Sequence, residues 1–65
     1  MEEFVVIGTA ENVEAEYSAS SLYTAKFVLA IMYDGECIGI EGYDTKEAVI
    51  RAAKECEGCR IEYLF

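Results

Sequence analysis

Seven apolar residues run without interruption from Phe27 to Tyr33, an Asp34-Gly35 pair follows, and isoleucines alternate through Glu36–Gly42. A two-residue type I′ loop needs positive φ at both central positions, and Asp-Gly is a preferred pair for it. The pattern therefore predicts a hairpin of a strand over 22–33 and a strand over 36–43. A regular ladder places Tyr33 opposite Glu36, Ile31 opposite Ile38, Leu29 opposite Ile40 and Phe27 opposite Gly42. One face then carries Phe27, Leu29, Ile31, Ile38 and Ile40 and reads as core. The other carries Lys26, Val28, Ala30, Met32, Cys37, Gly39, Glu41 and Tyr43, a flat mixture with small residues.

Upstream, Phe4–Ile7 is apolar without alternation, as in a strand covered on both faces. From Asn12 to Tyr17 apolar and polar residues alternate, with Val13, Ala15 and Tyr17 on one side and Asn12, Glu14 and Glu16 on the other. This predicts that the first strand continues half-solvated to Tyr17, with a bulge between Gly8 and Asn12 that keeps Glu11 out of the core. Residues 18–21 (SASS) read as a turn of small hydroxyl residues. Downstream, Asp44 with Glu47 three residues on has capping-box spacing. Ala48, Val49, Ala52, Ala53 and Cys56 share a stripe, and Gly58 stands where a helix ends. A helix over 45–57 and a final strand over 59–65 follow.

The order is βββαβ: an α+β domain with a four-stranded mixed sheet in the order 3-2-1-4 and one helix packed on one face. A right-handed crossover brings the last strand beside the first. The opposite face of the sheet is left for water or a partner.

Composition narrows the function rather than the fold. The 65 residues are 54% hydrophobic and 28% charged, the profile of one globular domain, 1–65. A domain of this length buries only about 60% of its unfolded surface, so self-association is an obvious source of extra stability. The net charge of −8 opposes direct binding of nucleic acid or an anionic membrane. The acidic opening Met1-Glu2-Glu3 lacks the basic start of a signal peptide, and the apolar run is too short to span a bilayer. The expected location is cytoplasmic, of a host cell if the chain is phage-encoded. Three cysteines, an odd count, fit reduced thiols.

The motifs that carry chemistry are few. Cys56-Glu57-Gly58-Cys59 is a C-x-x-C, but it straddles a helix C-terminus, whereas redox catalysis needs the thiolate at an N-terminus. Zinc wants four ligands, histidine is absent, and Cys37 belongs to the other sheet face. Neither metal nor cofactor is expected. Paired carboxylates need a cleft that separates their pKa values, and Ser18, Ser20 and Ser21 have no base nearby. Asp34-Gly35-Glu36 is too short for a calcium loop, and no glycine-rich phosphate loop precedes the helix. The expectation is a protein that is not an enzyme.

Charge is distributed unevenly. Residues 45–57 balance three bases with three acids, so the whole excess lies elsewhere. With the strand pairing above, Glu14, Glu16, Glu41 and Tyr43 gather at one end of the open face with Asp44 at its rim. Carboxylates two apart on a strand lie roughly 6.6–6.8 Å apart, near two base-pair rises of DNA. These five residues are the candidate partner-binding site. The expected function is a non-catalytic acidic interaction protein that binds a basic surface on a protein partner. Its most concrete form is a phage or mobile-element inhibitor that mimics nucleic acid on a CRISPR or restriction effector. The alternative is a homodimeric structural protein that buries Ala30, Met32, Cys37 and Gly39 of the open face against its own copy.

Overall fold

A computed structural model describes residues 2–19 and 24–65. Its elements are β1 (Glu3–Thr9), α1 (Ala10–Tyr17), β2 (Phe27–Tyr33), β3 (Glu36–Tyr43), α2 (Lys46–Lys54) and β4 (Arg60–Tyr63). They form one four-stranded mixed sheet in the order β3-β2-β1-β4. The pairs β1–β2 and β2–β3 are antiparallel, and β4 runs parallel to β1. The expected strand order and α+β class hold. The single helix does not: there are two, one on each face of the sheet. The expected turn residues Ser20 and Ser21, and the start of the expected second strand at 22–23, lie outside the described residues.

Strand β1 is central, and Val5, Val6 and Ile7 are fully buried, which is why this stretch is apolar on both sides. Phe4 and Val6 join Val28, Ala30 and Met32 under Val13 of α1. Val5 and Ile7 join Leu29 under Val49 and Ala53 of α2. The face expected to lie open is thus a second core. Ala30 and Met32, which the homodimer reading expected to be open, have no exposed surface and are covered within the chain itself.

Residues 12–17 are helical, not extended. Thr9 caps α1 with its hydroxyl accepting from the Asn12 N–H, and Ser18 ends it in the left-handed region at φ 53°. Ala10, Val13 and Tyr17 fall at i, i+3 and i+7, the inward stripe of a short helix. No bulge occurs near Gly8, which pairs in register with Val28. Its missing Cβ instead makes room for the Asn12 side chain, whose Oδ1 a Cβ would overlap. Asn12 Nδ2 donates to the Leu64 carbonyl, tying α1 to the end of β4.

The hairpin turn forms as expected, with Asp34 at φ 51° and Gly35 at φ 79°. The ladder beyond it slips by one residue. Tyr33 faces Glu36 and Met32 faces Cys37, but Ile31 faces Gly39, so Ile38 is an unpaired bulge and 61% exposed. Ile38 is therefore not core, and Ile40 joins the α1 side beside Ala30. Because a one-residue slip reverses side-chain facing, Glu41 and Tyr43 move to the α2 side opposite Leu29 and Phe27. The bulge also bends an edge strand that would otherwise invite pairing.

Helix α2 is capped by Thr45, whose hydroxyl accepts from the Ala48 N–H, and not by Asp44. Regular helix ends at Lys54, short of the expected 57, and Gly58 takes φ 78° in the turn that follows. No helix among the described residues is long and apolar enough to cross a membrane.

Candidate functional site

The five candidate residues do not converge. Glu14 and Glu16 are exposed on α1, while Glu41, Tyr43 and Asp44 belong to β3 and the loop before α2. The sheet stands between the two groups because one predicted strand is a helix and the other carries a bulge. The phosphate-like spacing goes with it. Two residues apart on a helix, Glu14 and Glu16 are turned about 200° from each other around the axis.

Helix α1 nevertheless presents an unbalanced surface. Glu11, Glu14, Ala15 and Glu16 are all exposed, and α1 carries no basic residue. Glu11 and Glu14 are three apart and share one flank, and Glu16 occupies the other. Glu11 did not enter the predicted site because a strand reading assigned it to a bulge. Beside the helix, Glu62 of β4 accepts a 2.6 Å hydrogen bond from the Tyr17 hydroxyl. That bond, then burial and the charges of Glu62 and Glu16, push the Tyr17 pKa up to about 12, with Arg60 opposing. Arg60, whose charge reaches Tyr17, is already engaged. It pairs with Glu2 at 2.7 Å and lies 4.9 Å over the Phe4 ring. Both partners are largely exposed, so the ion pair itself adds little stability.

On the other side, Glu41 accepts a 2.6 Å hydrogen bond from Tyr43 two residues along the same strand. This bond, with burial and the charges of Glu41 and Glu55, raises the Tyr43 pKa to about 12. Tyr43 is half-buried against the α2 core, which removes it as a protruding anchor. Helix α2 holds Lys46, Arg51 and Lys54 against Glu47, and with the exposed Glu55 and Glu57 that follow it the segment is neutral. Lys46 Nζ stands 4.7 Å over the ring of Phe65, which meets Phe27 edge-on at 5.9 Å.

The described residues enclose no pocket, and among them no three His, Cys, Asp or Glu side chains are grouped to hold a metal ion. Cys37 Sγ donates to the Gly39 carbonyl on the α1 side, across the sheet from Cys56 and Cys59. Comparison with known proteins finds no family model that matches the chain, and no match among curated proteins or solved structures.

Proposed function

We propose that the protein is a non-catalytic interaction protein that presents the acidic surface of α1 to a basic surface on a protein partner. The observation that carries this reading is the charge asymmetry of the two helices. One helix exposes three carboxylates and no base, whereas the other mixes both signs, its three bases offset by Glu47, Glu55 and Glu57. Solubility alone asks for dispersed charge of mixed sign, and α1 is single-signed. The working residues are Glu11, Glu14 and Glu16, and a nucleic-acid-binding partner has the basic surface this chemistry suits.

The test uses parallel affinity capture with three baits: the wild type, an E11K/E14K/E16K variant, and a K46A/K54A variant. The expected result is a captured protein retained by the first and third baits, lost from the second, and displaced by short duplex DNA. Each desolvated charge pair is worth about 1.5–3 kcal/mol, so three reversals cost orders of magnitude in affinity. Equal capture by a charge-reversed bait that remains folded by circular dichroism ends the proposal. Retention of capture in the presence of duplex DNA narrows it to a basic partner that does not use that surface for nucleic acid.

A further inference from the structure

The chain between α2 and β4 folds as a four-residue turn, Cys56-Glu57-Gly58-Cys59. The Cys59 N–H donates to the Cys56 carbonyl at 3.3 Å, and Gly58 holds φ 78° at the third position, as a type II turn requires. The first and last residues of such a turn stand side by side. Here they bring the two Sγ atoms to 2.7 Å, hydrogen-bonded to each other and half-buried against the α2 core. Both cysteines are free thiols, and Cys37 lies on the far side of the sheet. An unconstrained thiol pair has no reason to share one spot. This pair is held there by the turn and by the core beneath it.

We infer that Cys56 and Cys59 form a reversible dithiol–disulfide couple, oxidised by a low-molecular-weight disulfide of the glutathione class, that locks the α2–β4 turn. The thiolate of one cysteine attacks a sulfur of oxidised glutathione, forming a mixed disulfide and releasing one glutathione thiolate. The second cysteine gives its proton to water, and its sulfur displaces the remaining glutathione thiolate as the Cys56–Cys59 bond forms. Two electrons pass from the pair to the small disulfide, and the two protons end on the two released thiols. The Cys59 thiol is held up at about 11, chiefly by its hydrogen bond to Cys56 and then by burial. The couple is independent of the acidic surface, which lies across the sheet.

Incubation of the wild-type chain with oxidised glutathione, acid quenching, alkylation and peptide mass analysis tests this. The expected result is joint loss of the Cys56 and Cys59 thiols with a mass lower by two hydrogens, while Cys37 remains alkylated. The thermal midpoint should rise by roughly 5 °C or more, since a cross-link restricts the unfolded chain. A Gly58→Ala variant, strained at positive φ, should convert its mixed disulfide to the bridge about tenfold more slowly. Three results each overturn the inference: all three thiols still alkylated in excess oxidant, a stable glutathione adduct on Cys56 or Cys59, or a bridge to Cys37. Closure of Gly58→Ala at the wild-type rate overturns the role assigned to the turn.

Discussion

Helix α2 lies on the sheet through Val49 and Ala53, with Ile50, Ala52 and Cys56 packed around them. Helix α1, on the other face, buries Val13 fully and packs Ala10 and Tyr17 beside it, and it adds two polar ties to the end of the chain. Its Asn12 side chain donates to the Leu64 carbonyl, and its Tyr17 hydroxyl donates to Glu62. The difference shows two ways of covering a sheet. An alanine-rich stripe lets α2 sit close over a wide apolar area. The shorter α1 presents a narrower stripe of Ala10, Val13 and Tyr17, and hydrogen bonds to the C-terminal strand and the residue after it supplement that packing. The cost in hydrophobic contact leaves α1 with an outer surface that folding does not use, which is where a binding surface is free to sit.

The largest effects test whether the face under α1 is a core in the same sense as the face under α2. Met32 is fully buried on the α1 side, and Leu29 is 4% exposed on the α2 side. Met32→Ala and Leu29→Ala should each cost about 2–5 kcal/mol in chemical denaturation. A 65-residue domain has only about 3–10 kcal/mol in all, so both variants sit near the edge of folding. A loss below about 1 kcal/mol for Met32→Ala alone would break the symmetry and return that face to a loosely covered surface.

The next effect is steric and falls on one face. A Cβ on Gly8 overlaps Asn12 Oδ1 and stands 3.0 Å from Leu64 Cβ, whereas one on Gly39 meets Ile31 Cδ1 at an ordinary 3.5 Å. Gly8→Ala should therefore cost about 1–3 kcal/mol, and Gly39→Ala should stay within about 0.5 kcal/mol. Asn12→Ala alone should cost about 1 kcal/mol or less. It deprives the Leu64 carbonyl of a donor but also removes a buried Oδ1 that has no partner among the described residues. In the Gly8→Ala/Asn12→Ala double variant the costs should fall short of additivity by 0.5 kcal/mol or more. Strict additivity would mean that Asn12 is not what Gly8 accommodates.

The elements that could be read from the residues are those with one dominant signal. Asp34-Gly35 set the turn, the doubly apolar Phe4–Ile7 set the central strand, and the alanine stripe set α2. Helix α1 was missed because Val13, Ala15 and Tyr17 satisfy a period of two while Ala10, Val13 and Tyr17 satisfy the helical period. Six to eight residues do not separate the two. Propensity was the better arbiter: Ala10–Tyr17 contains two alanines and three glutamates, which favour helix and are depleted in strands. Thr9 as a cap was a second signal. The bulge at Ile38 had none, since Cys37-Ile38-Gly39-Ile40 alternates well and only packing on both faces selects the slipped register. The predicted site is divided for both reasons together: Glu14 and Glu16 went with the helix, Glu41 and Tyr43 with the bulge. What survived from the charge pattern is the acidity of 11–16.

The smallest effect compares the two tyrosine–carboxylate bonds, one on each face. Both are 2.6 Å, and both raise the phenol to about 12. They differ in what they join. Tyr17 and Glu62 are 45 residues apart and connect α1 to β4, while Tyr43 and Glu41 are two apart on an exposed edge strand. A bond within one strand closes almost no additional structure, and water competes for it. Tyr17→Phe should cost about 1 kcal/mol at neutral pH and Tyr43→Phe a few tenths at most. The ring of Tyr17 packs edge-on against Phe4 at 6.5 Å, and phenylalanine preserves that contact, so the difference reports the hydroxyl alone. Linkage gives the sign. A phenol whose folded pKa lies above its ordinary value of 10 favours the folded state fully below pH 10, and that contribution is lost as pH rises through about 12. The wild-type thermal midpoint should therefore fall across that window, and Tyr17→Phe and Tyr43→Phe should flatten the fall to a similar degree, since the two phenols are raised alike. Absorbance titration of the phenolates should show the late-titrating tyrosines reduced by one in each variant. Equal stability losses for the two variants would show that the Tyr17 hydroxyl does not hold α1, leaving its place to the apolar stripe of Ala10, Val13 and the Tyr17 ring.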